Sequence, residues 1–330
     1  MRLTSVVACH NVAPHLPECL ATLWRNTGPD IEFVFVDDHS TDGTLPLLEE
    51  AVRSLPRCTL IRHPDNRGVS AARNTGTARA RGDYVTYLDG DDWIAPGYYP
   101  RLAAAARASG ADFVKVDHIS VAGRRRTLHR APEDRRDRLL HPLDQVETEE
   151  RTTMVDYPQV WAGAYHRRLD ARGLLTFDTT LRSGEDRHWT WRLHLRADSF
   201  TVAGLDGPRF RDIAPGPAPD DHHLDFLPAF RKVIEEAAAH PMGARLLPKA
   251  IRSCLDVVHS HAERIPAHDA PARRALRTGY AQLAAELPQD LLADVLLRMD
   301  DKRRKKLLTL YRPEGLYRPE GLHRPEETWS

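Results

Sequence analysis

Tyr84-Val-Thr-Tyr-Leu-Asp-Gly-Asp-Asp-Trp93 runs from a short apolar, β-prone segment straight into three carboxylates, Asp89, Asp91 and Asp92, gathered around Gly90. Carboxylates this close repel one another unless a positive charge lies between them, and each is costly to bury unpaired. A hard divalent cation held by oxygen ligands, together with the phosphates of a substrate, supplies such a charge. The plainer alternative is a solvated acidic turn after an edge strand. The surrounding chain decides between them.

Upstream, residues 3–9 are short, apolar and rich in β-branched residues, which reads as a buried strand. Pro14 and Pro17 lie near the start of a helical stretch through Cys19, Leu20, Leu23 and Trp24. Residues 31–36 have no polar face, as expected of a parallel strand covered on both sides, and they end in Asp37-Asp38-His39-Ser40-Thr41-Asp42-Gly43. Ser40, Thr41 or Asp42 can cap a helix over 44–54. A strand at 58–62, a helix over about 69–81, the opening strand, a helix near 99–109 and a strand at 112–116 continue the alternation. Regular strand–helix alternation predicts an α/β fold with a doubly wound, mostly parallel sheet, whose ligands sit beyond the carboxyl ends of the strands. Two acidic clusters then fall on one edge: Asp37-Asp38 after the second strand, and Asp89, Asp91 and Asp92 after the fourth.

Composition narrows the partners. The chain has 330 residues, with 47 Lys+Arg against 47 Asp+Glu and a formal net charge of zero, so no global field points to nucleic acid or an anionic membrane. Cys9, Cys19, Cys58 and Cys254 are scattered without metal-ligand spacing and read as apolar fillers in a reducing compartment. The apolar run at the start is too short and too interrupted for a signal peptide, and no run approaches a transmembrane helix. A cytoplasmic protein is expected, with peripheral membrane contact left open and the oligomeric state undetermined.

Residues 1–215 are predicted to form the α/β domain, interrupted by an exposed, charge-dense insertion at 123–151. Within that domain, 159–165 is an apolar run, and Ser183-Gly-Glu-Asp-Arg-His-Trp189 opens a helix through Trp191, Leu193 and Leu195. A last strand is expected over 199–205, with Pro208 and the proline-rich 214–219 marking the boundary. Residues 216–310 read as a helical domain, with helices over 224–240, 244–265, 270–287 and 289–310. Lys302-Arg-Arg-Lys-Lys306 reads either as a helix end balanced by Asp300 and Asp301 or as an attraction for anionic lipid or polymer. The tail at 311–330 repeats a Pro/Gly-bearing hexapeptide and cannot build a core, so it is expected to be disordered.

Several short motifs now stand in order: His10-Asn11; Val36-Asp-Asp-His-Ser-Thr-Asp-Gly43; Asn66-Arg-Gly68 with Ala72-Arg-Asn-Thr-Gly76; Leu88-Asp-Gly-Asp-Asp92; and Gly184-Glu-Asp186. Together they resemble the inverting glycosyltransferases of family 2, of bacterial cell-envelope type, over roughly residues 3–205. The resemblance implies a GT-A fold, a nucleotide-diphospho-sugar donor (a UDP-sugar first among them), Mg²⁺ or Mn²⁺ as cofactor, and a glycan or polymer acceptor. It places His10 at the position that stacks on the base, where the family has an aromatic residue, and Asp38 as acceptor for the uracil ring nitrogen. Arg73 falls near the diphosphate. Asp89 and Asp91 form the Asp-x-Asp, with Asp91 the metal ligand and Asp89 shared between metal and nucleotide, while Asp92 orients the sugar or a metal-bound water. Asp186 is the implied general base and Glu185 its support or an acceptor ligand. Trp161, Trp189 and Trp191 can offer a sugar platform, although core packing is the commoner fate of tryptophan.

Three other readings compete. A non-catalytic nucleotide- or glycan-binding member of the same fold is opposed by the presence of every acidic position that chemistry needs. A nucleotidyltransferase would lack its glycine-rich, basic loop and leave Glu185 and Asp186 without a role. Nucleic-acid binding through 123–126 and 302–306 is opposed by neighbouring acidic residues.

Overall fold

A strand buried at every position, β1 (Leu3–Cys9), forms the axis of the sheet. It lies between two parallel neighbours, β2 (Ile31–Asp37) and β4 (Tyr84–Asp89), and β3 (Cys58–Arg62) continues beyond β2. Helices α1 (Leu16–Trp24), α2 (Thr44–Ser54), α3 (Gly68–Arg79) and α4 (Tyr98–Ser109) cover these strands, which explains why the strands carry no polar face. The computed structural model describes residues 2–146, 151–211, 226–265 and 269–311. The rest of the sheet comprises β5 (Phe113–Ala122), β6 (Arg125–His129), β7 (Gly163–His166) and β8 (Phe200–Arg211). The strand order is β3-β2-β1-β4-β7-β5-β6, with β8 also paired to β5. Only β6 and β7 run antiparallel to their neighbours, so the expected α/β, mostly parallel sheet is present.

Two strands outrun their predicted limits. β5 extends to Ala122, and β8 continues through Pro208 to Arg211. Proline is tolerated there because the β5–β8 register slips between Asp117 and Ile119, where Pro208 owes no ladder hydrogen bond. Gly207 is required at the same irregularity, since a Cβ would stand 1.9 Å from the Asp117 carbonyl oxygen.

The charged segment at 123–151 is a correction. Its first part is the second arm of a hairpin, with β6 paired along β5, and Ala131, Glu133 and Gln145 are buried beyond it. Glu133 accepts from Arg135 and from Gln145 Nε2 (2.8 Å), so the dense charge is matched locally. β6 itself is exposed, as expected, and residues 147–150 lie outside the described residues.

Among the described residues five helices follow: α6 (Phe226–Ala239), α7 (Gly243–Arg264), α8 (Ala270–Glu286), α9 (Gln289–Arg298) and α10 (Asp301–Leu310). The single helix expected over 289–310 is two, because Asp300 caps α10 by accepting the Arg303 N–H at 3.0 Å. These helices enclose a second core, and α5 (Glu185–Arg196) is shared between the two. Trp189 packs into the sheet-side core and Trp191 into the helical one. Among the described residues, no helix is long and apolar enough to cross a membrane. The proline-rich 214–219 and the repeats beyond Tyr311 lie outside the described residues.

Candidate active site

Strand register brings the acidic motifs to one edge. Asp37 pairs with Cys9 and Asp89 with Ala8, so both acidic strand ends flank the carboxyl end of β1. Gly90 lets the chain turn across that end: a Cβ there would lie 2.8 Å from Cys9 Sγ and 3.0 Å from a Val12 methyl.

The first cluster is closed. Asp37 is fully buried and accepts from the Ser40 N–H. Asp38 is 3% exposed; its Oδ1 takes His63 Nδ1 at 2.6 Å and the Arg67 N–H at 2.9 Å, and its Oδ2 takes the Gly68 N–H at 2.7 Å. Asp38 was expected to accept a hydrogen bond from the base, and in the structure its carboxylate already holds these three bonds. Its carboxylate ties the end of β2 to the loop that opens α3, and three donors satisfy it there. His10 is exposed, as a stacking ring must be, with Nδ1 on the Asp38 carbonyl oxygen (2.7 Å) and Nε2 beside Asn66 Nδ2 (3.1 Å). Asp42 accepts the Thr44 N–H at 2.9 Å, so of the three capping candidates it holds the start of α2.

The second cluster is open and short of positive charge. Arg73, on α3, donates from Nη2 to Asp89 Oδ1 (3.1 Å) and from Nη1 to Glu185 Oε1 (3.0 Å). Burial alone would lower its pKa, but Asp89 and Glu185 outweigh that and raise it. Arg73 was expected near the diphosphate; in the structure its fork bridges Asp89 of the Asp-x-Asp to the head of α5, because two half-buried carboxylates in a low-dielectric cleft demand a cation. Burial and the neighbouring Asp186 push Glu185 up, against the pull of Arg73. Asp186, partly exposed, stands beside it in the first turn of α5, where the helix dipole favours ionised carboxylates. Asp91 is raised by burial and then by Asp89. The same two causes push Asp92 up to about 8. Asp92 is 1% exposed: its Oδ1 accepts the Arg211 N–H at 2.8 Å, and among the described residues its Oδ2 is buried without a partner.

The end of β8 therefore belongs to the site, and sequence reasoning missed it. Arg211 donates to the Asp91 carbonyl oxygen (3.1 Å) and to Glu18 (2.7 Å), and its guanidinium lies 4.5 Å over the Trp93 ring. Extending the strand past Pro208 was the signal needed. Phe210, on the same segment, stacks on Trp161 at 5.7 Å and 4° between planes. Of the three candidate tryptophans only Trp161 faces a cleft, since Trp189 and Trp191 are core.

That cleft has a volume of about 820 Å³. Arg73, Asp89, Glu185 and Asp186 line it, with Trp161 and Phe210 on another wall; His10, Asp38 and Asp91 lie outside its lining. Lys115, also missed, is 2% exposed near this wall and donates to the Gln159 carbonyl oxygen at 2.6 Å. Burial brings it down to about 7, with Asp186 opposing. A hard divalent cation fits the acidic turn: Asp91 and Asp89 offer oxygen donors, and the raised Asp91 and unpartnered Asp92 oxygen show a local shortage of positive charge. Among the described residues, no three His, Cys, Asp or Glu side chains form a closed cage.

The family model described as Glycosyl transferase family 2 matches residues 4–163. Curated relatives include the uncharacterized glycosyltransferase EpsJ of Bacillus subtilis, 33% identical over 184 residues, which are 55% of this chain and 52% of that protein. The succinoglycan biosynthesis protein ExoO of Rhizobium meliloti is 33% identical over 56% of this chain and 53% of its own length. The chain thus spans about half the length of these relatives. In fold, it is similar to S. aureus TarS 1-349 in complex with UDP-GlcNAc, at a TM-score of 0.73 and 18% identity, over 94% of this chain and 90% of that one. With the acidic turn, the Arg73 bridge and the α5 carboxylates in place on a GT-A sheet, the chain is similar, over residues 4–163, to glycosyl transferase family 2.

Proposed function

We propose that this protein transfers a glycosyl unit from a UDP-sugar to a hydroxyl of a cell-envelope glycan, with inversion at the anomeric carbon. The observation that carries this is the Asp89–Arg73–Glu185 bridge, with Asp186 lining the same cleft as Asp89, the first carboxylate of the Asp-x-Asp. The donor class is supported by the fold shared with a UDP-GlcNAc complex, and the acceptor class by the relative named for succinoglycan biosynthesis.

In this mechanism the acceptor hydroxyl oxygen attacks the anomeric carbon from the face opposite the diphosphate, and the bond to the diphosphate oxygen breaks. Asp186 takes the hydroxyl proton as the new bond forms, which requires only a carboxylate within hydrogen-bond reach. Glu185, fixed by Arg73, keeps Asp186 oriented at the head of α5. Trp161 and Phe210 give the acceptor ring a flat apolar wall. Asp91, with Asp89, would hold Mg²⁺ or Mn²⁺, which when bound supplies Lewis-acid stabilisation of the leaving diphosphate. His10 stacks on the nucleotide base, over a loop that Asp38 holds in shape.

The test is a screen of nucleotide-sugars for thermal stabilisation and turnover, with and without Mn²⁺. UDP plus metal should raise the melting temperature of the wild type. Asp186→Asn should keep that shift while transfer falls by about 10²–10⁴-fold. Full transfer by Asp186→Asn would overturn the assignment of the base.

A further inference from the structure

A second cleft, of about 700 Å³, opens where α7 and α10 meet the loop before β7. It is continuous with the catalytic cleft, because Asp156 and Arg264 line both. Its charge departs from that of the chain. The whole protein is neutral, yet six Lys or Arg line this cleft against three carboxylates.

Part of that charge has a structural role. Lys249, 2% exposed, donates to Asp156 Oδ2 (2.5 Å) and to the Arg151 carbonyl oxygen (2.6 Å), and Ser253 donates to Asp156 Oδ1 (2.6 Å). These bonds fasten α7 to the α/β domain. Arg252 and Arg303 both engage Asp256. The remaining three are different. Among the described residues, no hydrogen bond or ion pair engages the guanidinium of Arg151, Arg187 or Arg264, and all three are at least partly exposed. Arg187 follows Asp186 in the chain, so this charge begins one residue from the base. His259 Nε2, in the same wall, is buried without a partner among the described residues.

Three unpaired guanidiniums around one cleft repel one another, and that arrangement is stabilised when oxyanions fill it, since the guanidinium fork matches carboxylate and phosphate geometry. The segment at 302–306 is the weaker candidate for such a role. Arg303, Arg304, Lys302 and Lys306 are paired with Asp300, Asp301, Asp256 or Glu263.

Resting on the glycosyltransferase reading, we infer that the acceptor is an anionic glycan, and that Arg151, Arg187 and Arg264 bind its phosphate or carboxylate groups while a neighbouring hydroxyl enters the catalytic cleft. The cleft thereby selects the acceptor by charge and sets the register along the chain.

The experiment measures binding of fluorescent polyphosphate, polygalacturonate and dextran to the full chain, at low and high salt. Either polyanion should bind in a salt-dependent way, the tighter one naming the acceptor's anion, and neutral dextran should not bind. The double reversal Arg187→Glu/Arg264→Glu should weaken polyanion binding by at least about tenfold, the scale of losing charge-assisted hydrogen bonds. Circular dichroism checks that it folds, and the milder Arg187→Gln/Arg264→Gln pair should fall between it and the wild type. Lys305→Glu, on α10 outside the cleft, serves as a control for general charge. Equal binding of dextran, an unchanged affinity in the double reversal, or binding to phosphatidylglycerol vesicles alone would overturn the inference. UDP plus Mn²⁺ stabilisation of the wild type is read in parallel. If it persists while polyanions fail to bind, only the acceptor inference falls; if it is absent as well, the glycosyltransferase reading falls with it.

Discussion

The strand ends at Asp37-Asp38 and at Asp89-Gly-Asp-Asp92 look alike in sequence and behave in opposite ways. Both follow buried parallel strands, and both flank the end of β1. Around Asp38, three donors are aimed at the carboxylate: one imidazole and two backbone N–H groups. Around Asp91 and Asp92 the donors run out, and the carboxylates are left near one another with raised pKa values. A carboxylate whose bonds are made inside the protein shapes a loop. A carboxylate left short of positive charge is available to a ligand. The same distinction separates the cations, with Arg73 bound to two carboxylates and, among the described residues, Arg187 and Arg264 bound to none.

The contrast is sharpest for Asp91→Ala. It should cost about 10²–10³-fold in transfer, the scale of removing one electrostatic stabiliser, and abolish stabilisation by UDP plus Mn²⁺. Removing one of several repelling charges should leave the metal-free protein at least as stable as the wild type. A large loss of stability in that variant would break the comparison from one side.

Asp38→Ala breaks it from the other. The substitution strands His63 and two N–H groups in a buried setting, and unfolding measurements should show a loss of about 3 kcal/mol. An Asp38→Ala protein as stable as the wild type would mean that this cluster, too, is free for ligand.

Lys115 tests a cation without a carboxylate partner. Burial holds it at about 7, below its ordinary value of 10.5. Below pH 7 both folded and unfolded chains are protonated, and the full cost of burying the charge is present. Between pH 7 and 10.5 the folded chain has released its proton and the unfolded chain has not, so stability rises with pH by up to about 1.4 kcal/mol per unit. Measured against Lys115→Met, wild-type stability should therefore improve across that window and then level off. A pH-independent difference would show that the lysine stays charged when buried.

The smallest effect concerns the apolar wall. Phe210→Ala removes one ring of the Trp161 stack and should raise the acceptor KM about tenfold or less, as expected for about 1 kcal/mol of aromatic contact. An unchanged KM would take the acceptor ring away from that wall.

Much of the fold could be read from patterns of two or three neighbouring residues. β3 was expected over 58–62 and is Cys58–Arg62, because a run of apolar and β-branched residues between turns suits one structure only. Pro208 misled by the same logic: a local breaker rule ended a strand that long-range pairing with β5 sustains across a register slip. At 123–151, mixed charge hid a hairpin whose partner strand lies earlier in the chain. Local sequence also marked Glu185 and Asp186 as a helix head, but not the arginine that ties them to Asp89.

By itself, then, the sequence determined the alternating strands and helices, the acidic strand ends and the residue types that a glycosyl transfer needs. These rest on backbone sterics, apolar periodicity and side-chain chemistry, which act over a few residues. Only the tertiary structure decided which carboxylates are engaged and which are open. Asp38 found its donors 25, 29 and 30 residues away, and Arg73 reaches Glu185 across 112. The availability of a charge depends on what surrounds it in space, and the surroundings of each residue at this site are built by segments distant in the chain.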